Sequence, residues 1–185
     1  MNEEYVKVPH ERLAVIIGTD GETKALIEET MDVDLLVDTE DSSVRIVSRP
    51  TTEDPLAVWK SRDMVKAIAR GINPEKALRL RDDGVIVEII DISEAVGESK
   101  NTQQRLKGRV IGAEGRTRSL IESLTGVTLS IYGKTISILG TYEEVNDAKR
   151  AVDMLLSGKP HSGVYRFLEK TQKERKRREF LDRIQ

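Results

Sequence analysis

Gly108-Arg109-Val110-Ile111-Gly112-Ala113-Glu114-Gly115-Arg116-Thr117-Arg118 decides how the rest of the chain is read. An apolar helix end runs into a Gly-x-x-Gly turn, and a second helix begins at once with two arginines. Two glycines permit a tight turn and let the main chain approach a ligand without Cβ obstruction. The opening helix offers unpaired N–H groups and the positive end of its dipole to an anion. Arg109, Arg116 and Arg118 place full charges around the same point. The stretch is laid out for a backbone phosphate.

Many helix–helix turns contain one Gly-x-x-Gly, but here the pattern occurs twice. Ile17-Gly18-Thr19-Asp20-Gly21-Glu22-Thr23-Lys24 overlays the later stretch at an offset of 94 positions, without a gap from Ile17 to Val37. Gly18 meets Gly112, Gly21 meets Gly115 and Thr23 meets Thr117. Leu26-Ile27-Glu28 meets Leu120-Ile121-Glu122, and Val33, Leu35 and Val37 meet Val127, Leu129 and Ile131. Self-similarity at a fixed offset marks a duplicated domain.

The 185 residues, 38% of them hydrophobic, suffice for two small cores. With no cysteine there are no disulfides, thiolate metal ligands or thiol nucleophiles, and His10 and His161 alone make a histidine-based metal site or triad improbable. No carboxylate pair, nucleophile–base spacing or nucleotide loop stands out, so the expectation is no catalysis, no cofactor and no metal. No apolar run reaches spanning length and no charged-then-apolar leader opens the sequence, which points to a soluble, cytoplasmic protein away from membranes. The net charge of −2 conceals an asymmetry. Residues 1–92 carry 12 Lys+Arg against 20 Asp+Glu, a balance of −8, and residues 93–185 carry 18 against 12, a balance of +6. Polyanion binding is therefore expected in the second copy.

Each copy reads as β-α-α-β-β-α. In the first, a strand at Tyr5–Val8 stops at Pro9, helices flank the glycine loop, and strands follow at Val33–Val37 and Val44–Val47. Asp54-Pro55 then opens a long helix with Leu56, Trp59, Met64, Val65 and Ile68 as its core face. The second copy adds a polar insertion, Ser93 to Thr102, before a helix from Gln103. The expected segments are 1–72, a connecting helix and linker at 73–83, 84–158, and a basic helical tail at 159–185. Val164, Phe167 and Leu168 are suited to docking the tail. Arg175-Lys176-Arg177-Arg178 leaves two readings open: a solvated, fraying helix, or a basic arm for RNA or a partner protein.

This order, with Ile-Gly-x-x-Gly between the first two helices, resembles the type I KH domain in both copies, an α+β fold. In KH domains the loop clamps the backbone of about four unpaired nucleotides beside an apolar groove. Together with the tandem arrangement, the tail beginning Lys159-Pro160-His161-Ser162-Gly163-Val164-Tyr165-Arg166-Phe167-Leu168 is similar to that of archaeal relatives of the partner-of-Nob family of small-subunit assembly factors. That resemblance implies a non-catalytic protein holding the single-stranded 3′ end of small-subunit rRNA during its maturation. It also implies two protein partners, a Nob-type endonuclease and the alpha subunit of a translation initiation factor.

Carried onto this sequence, the resemblance puts the clamp at Gly112 and Gly115 with Ala113 and Glu114 at its tip. Lys107, Arg109, Arg116, Thr117 and Arg118 surround it, and Ile111 ends the groove's apolar wall with Leu129 or Ile131 from the adjacent strand. Glu114 departs from the basic residue often found there. The first copy keeps Gly18 and Gly21 but fills its loop with Thr19 and Asp20 and follows with Glu22; only Lys24 compensates. Glu28, Glu29, Asp32 and Asp34 add negative charge nearby, so this copy is expected to be the weaker RNA site and to present an acidic surface to a protein. The alternatives are a general KH adaptor for translation or RNA-degradation complexes, or a protein scaffold that has no need of the Arg-rich loop.

Overall fold

The computed structural model describes residues 2–184; Met1 and Gln185, which end the first and last expected segments, lie outside the described residues. The chain forms two compact units that divide between Val87 and Glu88, and each is described by itself.

The first unit runs β1 (Glu3–Lys7), α1 (His10–Ile17), a 3-10 turn (Thr19–Gly21), α2 (Glu22–Met31), β2 (Val33–Asp38), β3 (Ser43–Ser48) and α3 (Ala57–Ala69). The sheet order is β1-β3-β2, with β3 antiparallel to both neighbours. Alternation turns Val6, Val33, Leu35, Val44 and Ile46 inward, where they are buried with Leu13 and Ile16 of α1 and Ile27 and Met31 of α2. The expected face of α3 is corrected in part. Leu56 and Trp59 are 41% and 46% exposed, and the buried positions are Ala57, Val58, Ser61, Met64, Val65 and Ile68. At 100° per residue Trp59 falls on the side of α3 opposite Met64, Val65 and Ile68, and Leu56, whose N–H Asp54 accepts at 2.8 Å, stands ahead of the helix as its N-cap. α4 (Pro74–Ala77), capped by Asn73, and a 3-10 turn (Leu78–Arg81) follow.

The second sheet begins at β4 (Val85–Asp91), and the chain continues through α5 (Ile92–Val96), α6 (Lys100–Ile111), a 3-10 turn (Ala113–Gly115), α7 (Arg116–Thr125), β5 (Thr128–Tyr132), β6 (Thr135–Thr141) and α8 (Tyr142–Leu156). Its order, β4-β6-β5, reproduces the first sheet. The polar insertion is ordered by its own caps: Asp91 accepts from Ser93 N–H to start α5, and Ser99 starts α6 three residues before Gln103. A capping box between Thr141 and Glu144 opens α8. One device recurs in both copies. Glu28 Oε1 accepts the Leu35 N–H at 2.7 Å, and Glu122 Oε1 accepts the Leu129 N–H at 2.8 Å. Each carboxylate thereby ties the second helix of its copy to an N–H on the sheet's outer strand.

The tail is one continuous helix, α9 (His161–Arg183), with Val164 and Leu168 buried in the second unit. The Arg150 guanidinium lies 4.9 Å from the Phe167 ring centroid. Arg175 donates to the Leu124 carbonyl at 3.0 Å and pairs with Asp147 at 3.4 Å; Arg178 pairs with Glu143. Two arginines of the basic run thus bind the tail to its own domain, while Phe180, Leu181 and Ile184 remain exposed. Burial holds the Asp147 carboxyl above the ordinary carboxylate range, and Arg175 opposes that shift. Arg175→Ala leaves the buried Asp147 with only Arg150 and Arg178 to favour its charge and should cost about 2 kcal/mol. Denaturant unfolding is expected to show that deficit at neutral pH. The deficit should shrink on acidification, because a carboxyl with a raised folded pKa favours the folded state as it takes up its proton.

Candidate nucleic-acid interface

α6 sets the geometry. At 100° per residue, Leu106 and Val110 point inward, Lys107 and Ile111 share one flank, and Arg105 and Arg109 share the other. Leu106 and Val110 are buried, while Ile111 is 36% exposed. Lys107 Nζ donates to the Gly133 carbonyl at 2.9 Å, tying its flank to the tight β5–β6 turn. Leu129 is fully buried on β5; Ile131 lies two residues along on the same face and is half-buried. Ile131, rather than Leu129, is therefore the strand residue available to line a groove.

The helix stops at Gly112, whose φ of 75° and ψ of 174° suit glycine almost alone. A Cβ there would stand 2.7 Å from the Thr117 amide nitrogen, so the close approach also requires glycine. Glu114 (φ 53°) and Gly115 (φ 74°) complete the turn, closed by Gly115 N–H donating to the Gly112 carbonyl at 3.2 Å. α7 then starts with no side-chain cap and no acid in its first turn, leaving the positive end of its dipole unneutralised. The first loop has the same shape, with φ of 78° at Gly18, 52° at Asp20 and 82° at Gly21. A Cβ on Gly18 would stand 2.6 Å from the Thr23 amide nitrogen.

The charges around the two loops have different engagements. Arg109 donates Nε to the Leu155 carbonyl at 3.0 Å and Nη2 to the Lys159 carbonyl at 2.5 Å, closing the C-terminal end of α8. Arg12 does the same for α3 through the Ile68 carbonyl, at 2.9 and 2.7 Å. Arg118 reaches Glu122 at 3.8 Å across one helical turn. Arg116 has no partner among the described residues and stands exposed beside the loop. In the first copy, Lys24 is held by Glu28 at 2.9 Å, and Asp32 and Asp34 are engaged by Arg49 at 3.6 and 2.8 Å. Much of the expected negative field is therefore paired. Asp20 and Glu22 are left at the first loop, and its only compensating lysine is already engaged.

Two residues outside the sequence-derived site support the second loop. His161 Nε2 donates to the Arg109 carbonyl at 2.9 Å, and the Tyr165 and Thr117 hydroxyls share a hydrogen bond of 2.8 Å. The two rings meet edge to face at 6.1 Å. Both lie in the run from Lys159 to Leu168, which falls outside the repeat, so no internal comparison assigns them a contact. Among the described residues, no cluster of three His, Cys, Asp or Glu can hold a metal ion, and no helix is long and apolar enough to cross a membrane.

These features define a pair of type I KH domains, and comparison with known proteins agrees. Residues 86–173 match a Pno1-type second-domain model described as a eukaryotic-type KH domain (KH-domain type I), and residues 9–83 match the Krr1 KH1 domain. A KH domain-containing protein of Methanocaldococcus jannaschii is 49% identical over 177 residues, 96% of this chain and 77% of that protein. RNA-binding protein pno1 of Ixodes scapularis is 33% identical over 66% of this chain; the chain spans only 53% of that protein. The pre-rRNA-processing protein pno1 of Schizosaccharomyces pombe is 27% identical over 86% of this chain and 67% of its own length. Dim2p of Pyrococcus horikoshii superposes with a TM-score of 0.86 at 45% identity, covering 92% of this chain and 99% of that one. The same comparison with a chain from its complex with a/eIF2alpha and rRNA gives 0.88 at 45% identity, over 94% and 95% of the two chains. The chain belongs to the tandem KH-domain family of Dim2 and Pno1.

The two loop glycines should respond differently to substitution. Gly112→Ala puts a methyl group against Thr117 as well as straining φ, and is expected to cost more than 2 kcal/mol. Gly115→Ala meets nothing within 4 Å and should cost only about 1 kcal/mol through its positive φ. Urea denaturation of the two variants measures the difference.

Proposed function

We propose that this protein binds single-stranded RNA through its second KH domain and acts in small ribosomal subunit assembly, holding the 3′ end of small-subunit rRNA as it matures. The observation that carries this reading is the second loop. There an uncapped helix N-terminus and Arg116, without a partner among the described residues, converge at a turn that requires glycine at position 112. A phosphate is the ligand such a site suits, and the half-buried Ile131 and exposed Ile111 offer apolar surface to unstacked bases. The names of the relatives, a pre-rRNA-processing protein and a Dim2p bound to rRNA, support the ribosomal setting. The role is one of holding rather than of chemistry.

The first KH domain is assigned a different task. Asp20 and Glu22 repel phosphate at its loop, and the balance of −8 over residues 1–92 favours a protein surface. An initiation factor alpha subunit is the candidate partner, by analogy with the Pyrococcus complex. A Nob-type endonuclease is the second candidate, from the family resemblance.

Fluorescence anisotropy with a single-stranded RNA carrying the pyrimidine-rich 3′ end of archaeal small-subunit rRNA, and with a scrambled control, tests this assignment. Gly21 and Gly115 both face open space, so an aspartate at either position probes the ligand more than the fold. Gly115→Asp should weaken binding at least about tenfold, a loss of about 1.4 kcal/mol, and Gly21→Asp less than about twofold. Equal losses would overturn the division of labour, and equal affinity for the scrambled RNA would favour a general adaptor. Glu114→Lys is expected to tighten binding and to steepen its salt dependence by about 0.7 in log–log slope.

A further inference from the structure

On the flank of α6 away from Lys107 and Ile111 lies a cavity of about 420 Å³, walled by Arg105, Arg109, Ala113, Arg116, His161 and Tyr165. It sits behind the glycine loop, on the opposite side from the groove flank. We infer that this cavity holds a backbone phosphate and its sugar from the RNA segment flanking the clamped nucleotides, so that the tail helix α9 forms part of the RNA interface. The inference rests on the reading of the second loop as an RNA clamp.

Three observations converge on it. First, Arg105 is exposed and, like Arg116, has no partner among the described residues, so two guanidinium groups border the cavity uncommitted. The third, Arg109, is occupied by the Leu155 and Lys159 carbonyls and forms wall rather than contact. Second, the Thr117–Tyr165 hydrogen bond uses only one of the two hydroxyl protons, leaving an O–H donor at the cavity's edge. Third, Gly108 occupies the outer side of α6, between the groove flank and the cavity flank. Glycine inside a helix costs about 0.5–1 kcal/mol relative to alanine. Yet Gly108 has an ordinary helical φ, and a Cβ there would meet nothing within 4 Å. Nothing in the fold requires it, and the corresponding residue of the first copy is Ala14. A bare backbone at that point lets a nucleic-acid strand cross the helix from groove to cavity.

A three-RNA titration of the full chain tests the inference. One RNA has about four nucleotides, the length a KH groove takes, and two others are lengthened by about three at the 5′ or the 3′ end. One lengthened RNA is expected to bind wild type about tenfold tighter than the short one. Arg105→Ala should abolish that gain and leave the short RNA's affinity unchanged. Gly108→Ala should raise the thermal midpoint while reducing the same gain, a combination that a purely structural glycine does not produce. The inference is overturned if neither lengthened RNA binds tighter, or if the gain survives both substitutions. Failure of the underlying clamp reading has a separate signature: Gly115→Asp would then leave the short RNA's affinity unchanged.

Discussion

The contact between the first loop glycine and the threonine five residues later organises each domain. Gly112 lies so close to the Thr117 backbone that any side chain would collide, and Gly18 stands in the same relation to Thr23. Two helices joined by a two-residue tip can meet only if one residue at the junction contributes no volume and accepts a positive φ. Once that junction is made, the second helix must start uncapped at the loop, with its dipole directed outward. The proposed anion site follows from the way the turn is closed. In the second copy the tail adds a further support, since Tyr165 bonds the same threonine and His161 bonds the helix that leads into the loop.

Duplication preserved the mechanical parts and altered the electrostatic ones. Arg12 and Arg109 each bond carbonyls at the C-terminal end of their copy's last helix. Glu28 and Glu122 each bond an N–H of the outer strand. The glutamates stand at equivalent positions of the repeat, whereas the arginines reach the same helix end from different ones, Arg12 aligning with Leu106 and Arg109 with Val15. At the loop tips the copies part: Asp20 and Glu22 stand where the second copy has Glu114 and Arg116. Lys24 is held by Glu28, whereas Arg116 is free among the described residues. A charge difference of this kind redirects one scaffold toward a different partner without disturbing its core.

The repeat, the element order and both loops were legible in the sequence, because they depend on periodicity and on glycine, which leave local marks. Partner choice leaves none. Arg109, Arg116 and Arg118 look equivalent by spacing, yet one closes a helix end, one has no partner among the described residues and one leans on Glu122. The acids near the first loop looked like an open field, while Arg49, far along the chain, engages two of them. Trp59 is a large apolar residue within an apolar pattern, but at 100° per residue it lies opposite Met64, Val65 and Ile68, so the helix that buries them turns it outward. The tail's basic run reads as a solvated, fraying helix or as a basic arm for RNA or a partner protein; Arg175 instead engages Asp147 and the Leu124 carbonyl of its own domain, which spacing alone does not reveal. Long side chains reach across elements, and their destinations are a property of the packed fold.

The central claim is that the second loop, and not its duplicate, receives the RNA. Amide chemical-shift mapping of the isotope-labelled protein during titration with short single-stranded RNA tests it most directly, because both loops report in the same experiment. The amides from Gly112 to Arg118 should shift progressively and saturate, with those from Gly18 to Lys24 unmoved. Equal shifts in both loops, or shifts confined to the first, would contradict the account.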